Sequence, residues 1–556
     1  MKDSCMRPLQ FLMAVICVLI LSLISSASAE PRPTLTPHVP DVVATGQAVR
    51  VGDLPPTQRL ALAISLPLRN QSELDELLQQ LYAPASPLFR QYLSVQQFTE
   101  RFGPSWTDHD AVIDFARGRN LTVTKTRPNR LVIDLEAAVS DIEEAFHLKM
   151  GVYQHPTENR TFYAPDREPT LDLDIPVLHI SGLDNFSLPV PSSIRSMKAT
   201  PLATGSAPGG EFAGRDMRAA YYGGTLTGAG QSLGLVQFAG YEISDIQLYF
   251  KTLQQSWNVP IIGVSVNGAP LDCPYPQCDD KEQSLDIEMA ISMAPGLSQL
   301  VVYVGNIDIS IFAQMAADNT SKQLSCSWNW EHTAGDQTSL DAIFAEMKAQ
   351  GQTLFVATGD HGSQPISNSK KIWTWPSDDP NVEAVGGTVL VTTSPGGAWK
   401  SETGWALSGG MPSEDGIPIP FYQKLKGVIN ATNHGSDRLR NIPDISANAS
   451  NYYTCANTSC QPFGAGMSGA GTSYATPLWA GFMALANQQA AANHLPTVGF
   501  VNPVLYDIGI ASIYDTDFHD IVSGSNGTYS AVKGYDLVTG WGSPVGPELI
   551  DDLAKY

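Results

Sequence analysis

The chain runs to 556 residues, too long for one ordinary domain and ample for a large buried core. Hydrophobic residues make up 43% and charged residues 16%, a globular balance that excludes a disordered chain. The formal net charge of −22 argues against nucleic acid and anionic membranes as partners.

At the start, Lys2 and Arg7 precede the apolar run FLMAVICVLILSLI, and Ala27-Ser28-Ala29 follows as a small-residue cleavage site. That is the pattern of a secretory signal peptide over residues 1–29, with a run too short for a comfortable membrane span. The mature chain is therefore expected to be exported and free of the membrane. Its destination is the extracellular space, the periplasm or an acidic lysosome-like compartment.

Residues 30–195 read as a unit of their own. RLALAISLPL alternates as a strand, and QSELDELLQQLY, SVQQFTERFG and HDAVIDFARGRN carry helical spacing. LTVTKTRPNRLVIDLE reads as a pair of strands and VSDIEEAFHLKM as another helix. The pattern predicts an α+β domain with helices on one face of an antiparallel sheet, and it holds no cluster of catalytic residue types. Asn185 to Gly214 is rich in Pro, Ser, Gly and Thr, an exposed linker whose part 196–214 is expected to hold a maturation site.

From residue 215 to 556, near-continuous apolar strands alternate with helical segments: SLGLVQF, SLDIEMAISMA, QLVVYVG, KQLSCSW, TLFVATGD and VEAVGGTVLV. Such strands predict an α/β domain with a parallel sheet covered by helices on both faces. Functional residues of such sheets sit beyond the carboxyl ends of the strands. Once Cys5 and Cys17 leave with the signal, CPYPQC and CANTSC read as two local disulfides, with a four-thiolate zinc site as the alternative. Cys326 reads as a buried free thiol. Nine Asn-x-Ser/Thr sites, Asn70, Asn185, Asn319, Asn448 and Asn526 among them, are potential glycan acceptors.

In GAGTSYATPLWAGF a small-residue loop delivers Ser473 to the start of an apolar helix, where backbone N–H groups favour developing negative charge. A nucleophile there needs a base. His361, directly after an aspartate in a turn, and His519, among acidic residues, fit a Ser-His-Asp triad poorly. Glu282 and Asp286 are four apart on a predicted helix, so they share a face; two carboxyls held together share a proton in acid. Asp360 ends the apolar strand TLFVATGD, where a turn-forming role competes with a chemical one.

These residues resemble the sedolisin family of serine-carboxyl peptidases. The matching motifs are Glu282-x-x-x-Asp286, TGDHG around Asp360, SGAGTSYATP around Ser473, and FHDIV with a later GYD; SCSWNW, WPSDDPNVEAVGGT, SGGMPS and IPDISANA support them. The similarity runs from about residue 50 to the end. It implies a subtilisin-like catalytic domain behind an inhibitory α+β prosegment, in a monomer acting on protein or peptide substrates. By the same resemblance Ser473 is the nucleophile, Glu282 its base, Asp286 the carboxyl that orients and shares a proton with Glu282, and Asp360 the oxyanion-hole residue. Ser327 and Trp328 resemble the strand that pairs substrate backbone. Asp520, Ile521, Val532, Gly534 and Asp536 align with a site for one structural Ca2+, with Val532 at a position that is glycine in other members. Gln237 stands where several members carry an acidic residue extending the carboxyl network. The implied activity is that of an acid-active endopeptidase made as an autoactivating proenzyme. A tripeptidyl aminopeptidase, an exported Ser-His-Asp subtilase and a catalytically inactive binding homologue remain the alternatives.

Overall fold

The computed structural model describes residues 37–192, 195–198, 205–363, 374–460 and 467–555. The expected signal peptide and residues 199–204 of the expected linker lie outside the described residues. No helix among the described residues is long and apolar enough to cross a membrane.

The N-terminal unit is built on two antiparallel sheets. β1 (Arg50–Asp53) heads a three-stranded sheet with β5 (Met150–Gln154) and β6 (Thr161–Pro165). β2 (Arg59–Ser65) lies inside a four-stranded sheet with β3 (Thr122–Lys125), β4 (Val132–Ala138) and β7 (His179–Ser181). The period-two alternation of β2 sends Leu62 and Ile64 into a core with Val112, Ile142 and Phe146 of the helices Trp106–Gly118 and Val139–Phe146. Ala63 faces the other way. With Leu131 and Val132 it joins a second core that includes Phe312 and Met315 of the helix Asp308–Asp318. The sequence predicts helices on one face of this sheet; the second unit covers the other.

Two buried polar contacts reinforce that junction. Arg127 donates to Asp134 at 2.7 Å and to the Ser310 carbonyl at 3.1 Å, and Asn129 donates to Glu346 at 2.8 Å. Beside them, the helices Gln71–Leu81 and Val95–Arg101 pack Leu74, Leu77, Leu81 and Phe98 against Ala345 and Ala349 of the helix Ala334–Ala349. Ser94 starts the second of these helices with a reciprocal cap to Gln97, a signal already readable in SVQQ.

The second unit is organised by an eight-stranded sheet. Its strands run β11 (Ile261–Ser265), β12 (Gln299–Val304), β10 (Ser232–Gln237), β13 (Gln323–Cys326), β15 (Thr353–Ala357), β16 (Glu383–Thr392) and β17 (Trp399–Gly404), with β20 (Ile445–Asn448) also on β16. All pairings are parallel except β16 with β17. The inner parallel strands β10, β12, β13 and β15 are buried almost throughout, as continuous apolar runs require, while the edge strand β11 is half exposed. This is an α/β domain with a mostly parallel sheet, preceded by the α+β unit. β17 escapes the sequence reading because WKSETG is a polar edge strand without an apolar run.

Strand order dictates where the site can be. The chain leaves β10, runs out to β11, returns through β12 and crosses to β13 on the other side of β10. Connections therefore diverge at the carboxyl ends of β10 and β13 and leave a crevice there. CPYPQC and CANTSC each close as a disulfide, Cys273–Cys278 and Cys455–Cys460, and Cys326 is a buried free thiol.

Candidate active site

Three strands end in the crevice. Gln237 is the last residue of β10, Ser327 follows β13, and Asp360 lies three residues beyond β15. Two helices close it. Lys281–Met293 carries Glu282 and Asp286 one turn apart, and Thr472–Ala492 carries Ser473 in its first turn. Every residue from Glu282 to Met293 is buried, so the acidic pair lies in the interior and not on a solvated helix face.

Asp286 is held from two sides. Ser327 Oγ donates to its Oδ1 at 2.7 Å, and Gln237 Nε2 donates to its Oδ2 at 2.6 Å. The indole Nε1 of Trp328 donates to Gln237 Oε1 at 3.1 Å. Because that group is a donor only, it fixes the amide with its nitrogen toward Asp286. The resemblance foresaw Gln237 only as a missing acid; the structure makes it a bridge between Trp328 and Asp286. Burial pushes Asp286 up to about 8, against the hydrogen bonds from Ser327 and Gln237. Burial and then the charge of Asp286 hold Glu282 well above the usual carboxylate range.

Ser473 is fully buried beside Glu282, and its hydroxyl favours the ionised form of that carboxyl. Neither Glu282 oxygen completes a hydrogen bond, and Ser473 Oγ donates to the Ser327 carbonyl at 3.4 Å. Contacts of this kind tighten only when a substrate seats them. Asp360 Oδ1 accepts from Thr472 N at 2.8 Å and from Thr472 Oγ1 at 3.0 Å, which ties Asp360 to the residue before Ser473. Gly409 lies so close to the Thr358 carbonyl that a Cβ would overlap it, and its N–H donates to the Gly359 carbonyl at 2.9 Å. The SGGMPS motif thus braces the turn that carries Asp360.

The crevice holds part of the chain itself. β8 (Val190–Pro191) pairs antiparallel with β14 (Trp328–Asn329). Ser192 N donates to the Ser327 carbonyl at 2.8 Å, and the Ser192 carbonyl lies 3.4 Å from Thr472 Oγ1, whose proton goes to Asp360 at 3.0 Å. β9 (Arg195–Lys198) then pairs with β21 (Met467–Ala470), the strand leading to Ser473. The linker enters along one wall and leaves along the other. Its part beside Ser473 lies ahead of residues 196–214. Ser327 meets the linker through its carbonyl while its hydroxyl turns to Asp286, and Trp328 meets it through its backbone. Thr472 was missed in the sequence because Gly-Thr-Ser reads as an ordinary helix start.

The two histidines weighed as bases differ in exposure. His361 is exposed. His519 stacks on Trp399 with ring centres 3.9 Å apart, and burial lowers it to about 4. Near the C-terminus, Asp520 Oδ1 accepts from Gly534 N at 3.1 Å and Asp536 Oδ2 from Val532 N at 2.9 Å, so both carboxylates are wrapped by the 532–536 turn. The donors available there, with the carbonyls of Ile521, Val532 and Gly534, are all oxygen and fit a hard cation. Among the described residues no group of three or more His, Cys, Asp or Glu side chains could hold a metal, so backbone carbonyls would have to complete such a shell.

The chain resembles known proteins over most of its length. Residues 46–186 match the family model for the pro-kumamolisin activation domain, and residues 300–499 match the subtilase family. The chain is 27% identical to kumamolisin from Bacillus sp. (strain MN-32), over 91% of this chain and 94% of that protein. It is 28% identical to sedolisin from Pseudomonas sp. (strain 101), over 92% and 90%. It is 25% identical to tripeptidyl-peptidase 1 of Mus musculus, over 91% and 93%. A solved structure of Pseudomonas sedolisin, a serine-carboxyl proteinase complexed with pseudo-iodotyrostatin, superposes with a TM-score of 0.53 at 26% identity. It covers 64% of this chain and 99% of that one.

Buried carboxyls extend well beyond the site. Burial pushes Glu346 up to about 8, Asp308 to about 7 and Asp378 to about 6, and it holds Glu288, Glu383 and Asp379 above the usual range. Each folded value exceeds the unfolded one, so the folded chain binds more protons between about pH 4 and 8. The stabilisation is complete below the unfolded values and is lost as pH rises through the folded ones. His38, His109, His155 and His519, all lowered by burial, oppose this in acid but are outnumbered. Thermal unfolding of a Ser473→Ala chain, which removes self-digestion, should give its highest Tm near pH 4–5 and a steady fall toward pH 8. A Tm that climbs over that interval would contradict the assignment.

Proposed function

The chain belongs to the sedolisin family and is a serine-type peptidase made behind an inhibitory prosegment; on that footing we propose that it is an exported, acid-active endopeptidase that frees itself by cutting its own linker. The observation that carries the reading is the seat of Ser192: its amide is held by the Ser327 carbonyl, and its own carbonyl is turned to Thr472 beside Ser473. Strand addition of this kind reads backbone and tolerates varied sequence.

In this reading Ser473 Oγ attacks the carbonyl carbon while Glu282 takes the hydroxyl proton. The tetrahedral intermediate collapses by breaking the C–N bond, and Glu282 returns the proton to the leaving amine. Water then attacks the acyl-enzyme with Glu282 again as base, which frees the acid and restores Ser473. Asp286 shares a proton with Glu282 and orients it. Asp360 donates to the oxyanion, a role open to a carboxyl only when protonated, and that requirement sets the reaction in acid. Ser327 and Trp328 supply the wall that substrate backbone pairs with.

Endopeptidase action is favoured over tripeptide release because the chain is continuous on both sides of Ser192. Upstream, Ser187 Oγ still accepts from Glu331 N at 2.9 Å, so the cleft accommodates more than three residues before the bond. Asp520 and Asp536, with the carbonyls of Ile521, Val532 and Gly534, would hold one calcium ion. The ion would cross-link the 520–536 segment and take no part in the chemistry.

Glu282→Gln should lower kcat about 10²–10⁴-fold at acid pH with the fold intact. His361→Ala should leave the pH–rate profile in place, and Asp360→Asn should keep a residue of activity because an amide still donates. Full activity in Glu282→Gln with loss in His361→Ala would return the chain to histidine-dependent catalysis, and a wild type inert at every pH would favour a binding homologue. Acidification of the proenzyme should yield a catalytic fragment beginning at Ser193, and Ser473→Ala should stay uncut; a first cut within 196–214 would displace Ser192 as the scissile residue. Mass analysis of digests of a long peptide should show internal cuts and not serial tripeptides. Exhaustive chelation should lower Tm, since an ion bound only by the folded state stabilises it; an unchanged Tm in a sample proven metal-free speaks against calcium.

A further inference from the structure

Both disulfide loops lie at the start of the helix that bears Glu282, and Tyr452, three residues before one of them, touches the helix that bears Ser473. Asn457, inside the Cys455–Cys460 loop, donates from its N–H to Asp280 Oδ1 at 2.9 Å and from Nδ2 to Asp279 Oδ1 at 3.0 Å. Its Oδ1 accepts from Asp280 N at 3.3 Å. Thr458 N donates to both oxygens of Asp245 at 3.1 Å. Asn457 and Thr458 have φ of 52° and 65°, and a β-branched residue rarely adopts the second without a closed ring to enforce it. Two successive left-handed residues turn their N–H groups the same way, toward carboxylates.

Asp280 is the hub. Its Oδ2 accepts from Ser284 Oγ at 2.9 Å and from Glu242 N at 3.1 Å, and Glu242 Oε1 accepts from Cys273 N of the other disulfide loop at 3.1 Å. Glu282 follows two residues later. Lower on the same helix, Glu288 Oε1 accepts from Cys455 N at 3.0 Å, and Thr454 Oγ1 bonds its other oxygen. On the opposite side, Tyr452 stacks flat on Tyr474, the residue after Ser473, with ring centres 4.2 Å apart and planes within 4°. Its N–H donates to the Gly469 carbonyl at 2.9 Å, on the strand that leads to Ser473. The segment 452–458 therefore grips the base-bearing helix at Asp280 and Glu288 and the nucleophile-bearing helix at Tyr474.

We propose that the Cys455–Cys460 loop is a staple that sets Glu282 against Ser473, with Asn457 as its positioning residue. The proposal rests on the functional reading above and adds to it a part of the molecule that touches no substrate. It also gives the disulfide a catalytic consequence: the enzyme reaches full turnover only after this bond has formed in an oxidising compartment. Asn457 lies in an Asn-Thr-Ser acceptor sequence, and a glycan on its Nδ2 would leave a single N–H there to reach Asp279.

The test compares acid-matured wild type with Asn457→Ala, Asn457→Asp and the double variant Cys455→Ser/Cys460→Ser. Displacement of a reacting group by about 1 Å costs up to about 10²-fold. The expected result is a kcat lower by about 10- to 100-fold, KM within about twofold, and an altered acid limb of the kcat–pH profile. Asn457→Asp keeps the size but faces Asp279 with a carboxylate, so it should behave as Asn457→Ala does. Wild-type kcat in Asn457→Ala overturns the staple, and so does a loss of activity matched only by a loss of folded protein. If Glu282→Gln retains turnover, the functional reading fails first; a Glu282-dependent enzyme indifferent to Asn457 refutes the staple alone.

Discussion

The structure depends on the cost of burying two carboxyls side by side. Glu282 and Asp286 lie one turn apart on a helix with no exposed face from Glu282 onward, and charge there is expensive unless a proton or donors compensate it. Their surroundings answer that cost. Ser327 and Gln237 donate to Asp286, Trp328 fixes which end of the Gln237 amide does so, and Ser473 stands against Glu282. A proton held on the pair meets the rest of the cost, as the raised values of both carboxyls require.

The same physics extends through the molecule. Glu346 is buried where the prosegment covers it and is held by Asn129, and Asp308 is buried near the prosegment's His179. The prosegment does more than block the cleft. Its four-stranded sheet gives one face to its own helices and the other to the catalytic unit, so covering that unit completes its own core. The linker then leaves the sheet as β8 and lies against β14 in the crevice. The inhibiting segment continues from the surface that covers the catalytic unit.

The strand order explains why these residues meet. Gln237, Ser327 and Asp360 come from three strands far apart in sequence, and all lie where the connections around β10 diverge. The helices bearing Glu282 and Ser473 point their first turns at that crevice. The segment 452–458 then spans the helix starts from outside, fastening through Asp280 and Tyr474 what the sheet has brought close.

By itself, the sequence determined what local chemistry and period can encode. The capped helix after Ser94, the hairpin at 122–138, the parallel strands of the second unit and the one-turn spacing of Glu282 and Asp286 are all properties of neighbouring residues. Local disulfides across five positions belong to the same class. Burial of the acidic pair did not follow from spacing, because an i,i+4 pair reads alike on a wet face and in a core. Nor did the role of Gln237, whose amide is fixed by Trp328, 91 residues away. The polar edge strand β17, Thr472 at the site and Ser192 in the cleft escaped for the same reason. Each takes its role from partners that only the packed sheet brings within hydrogen-bond distance, so tertiary structure decided them.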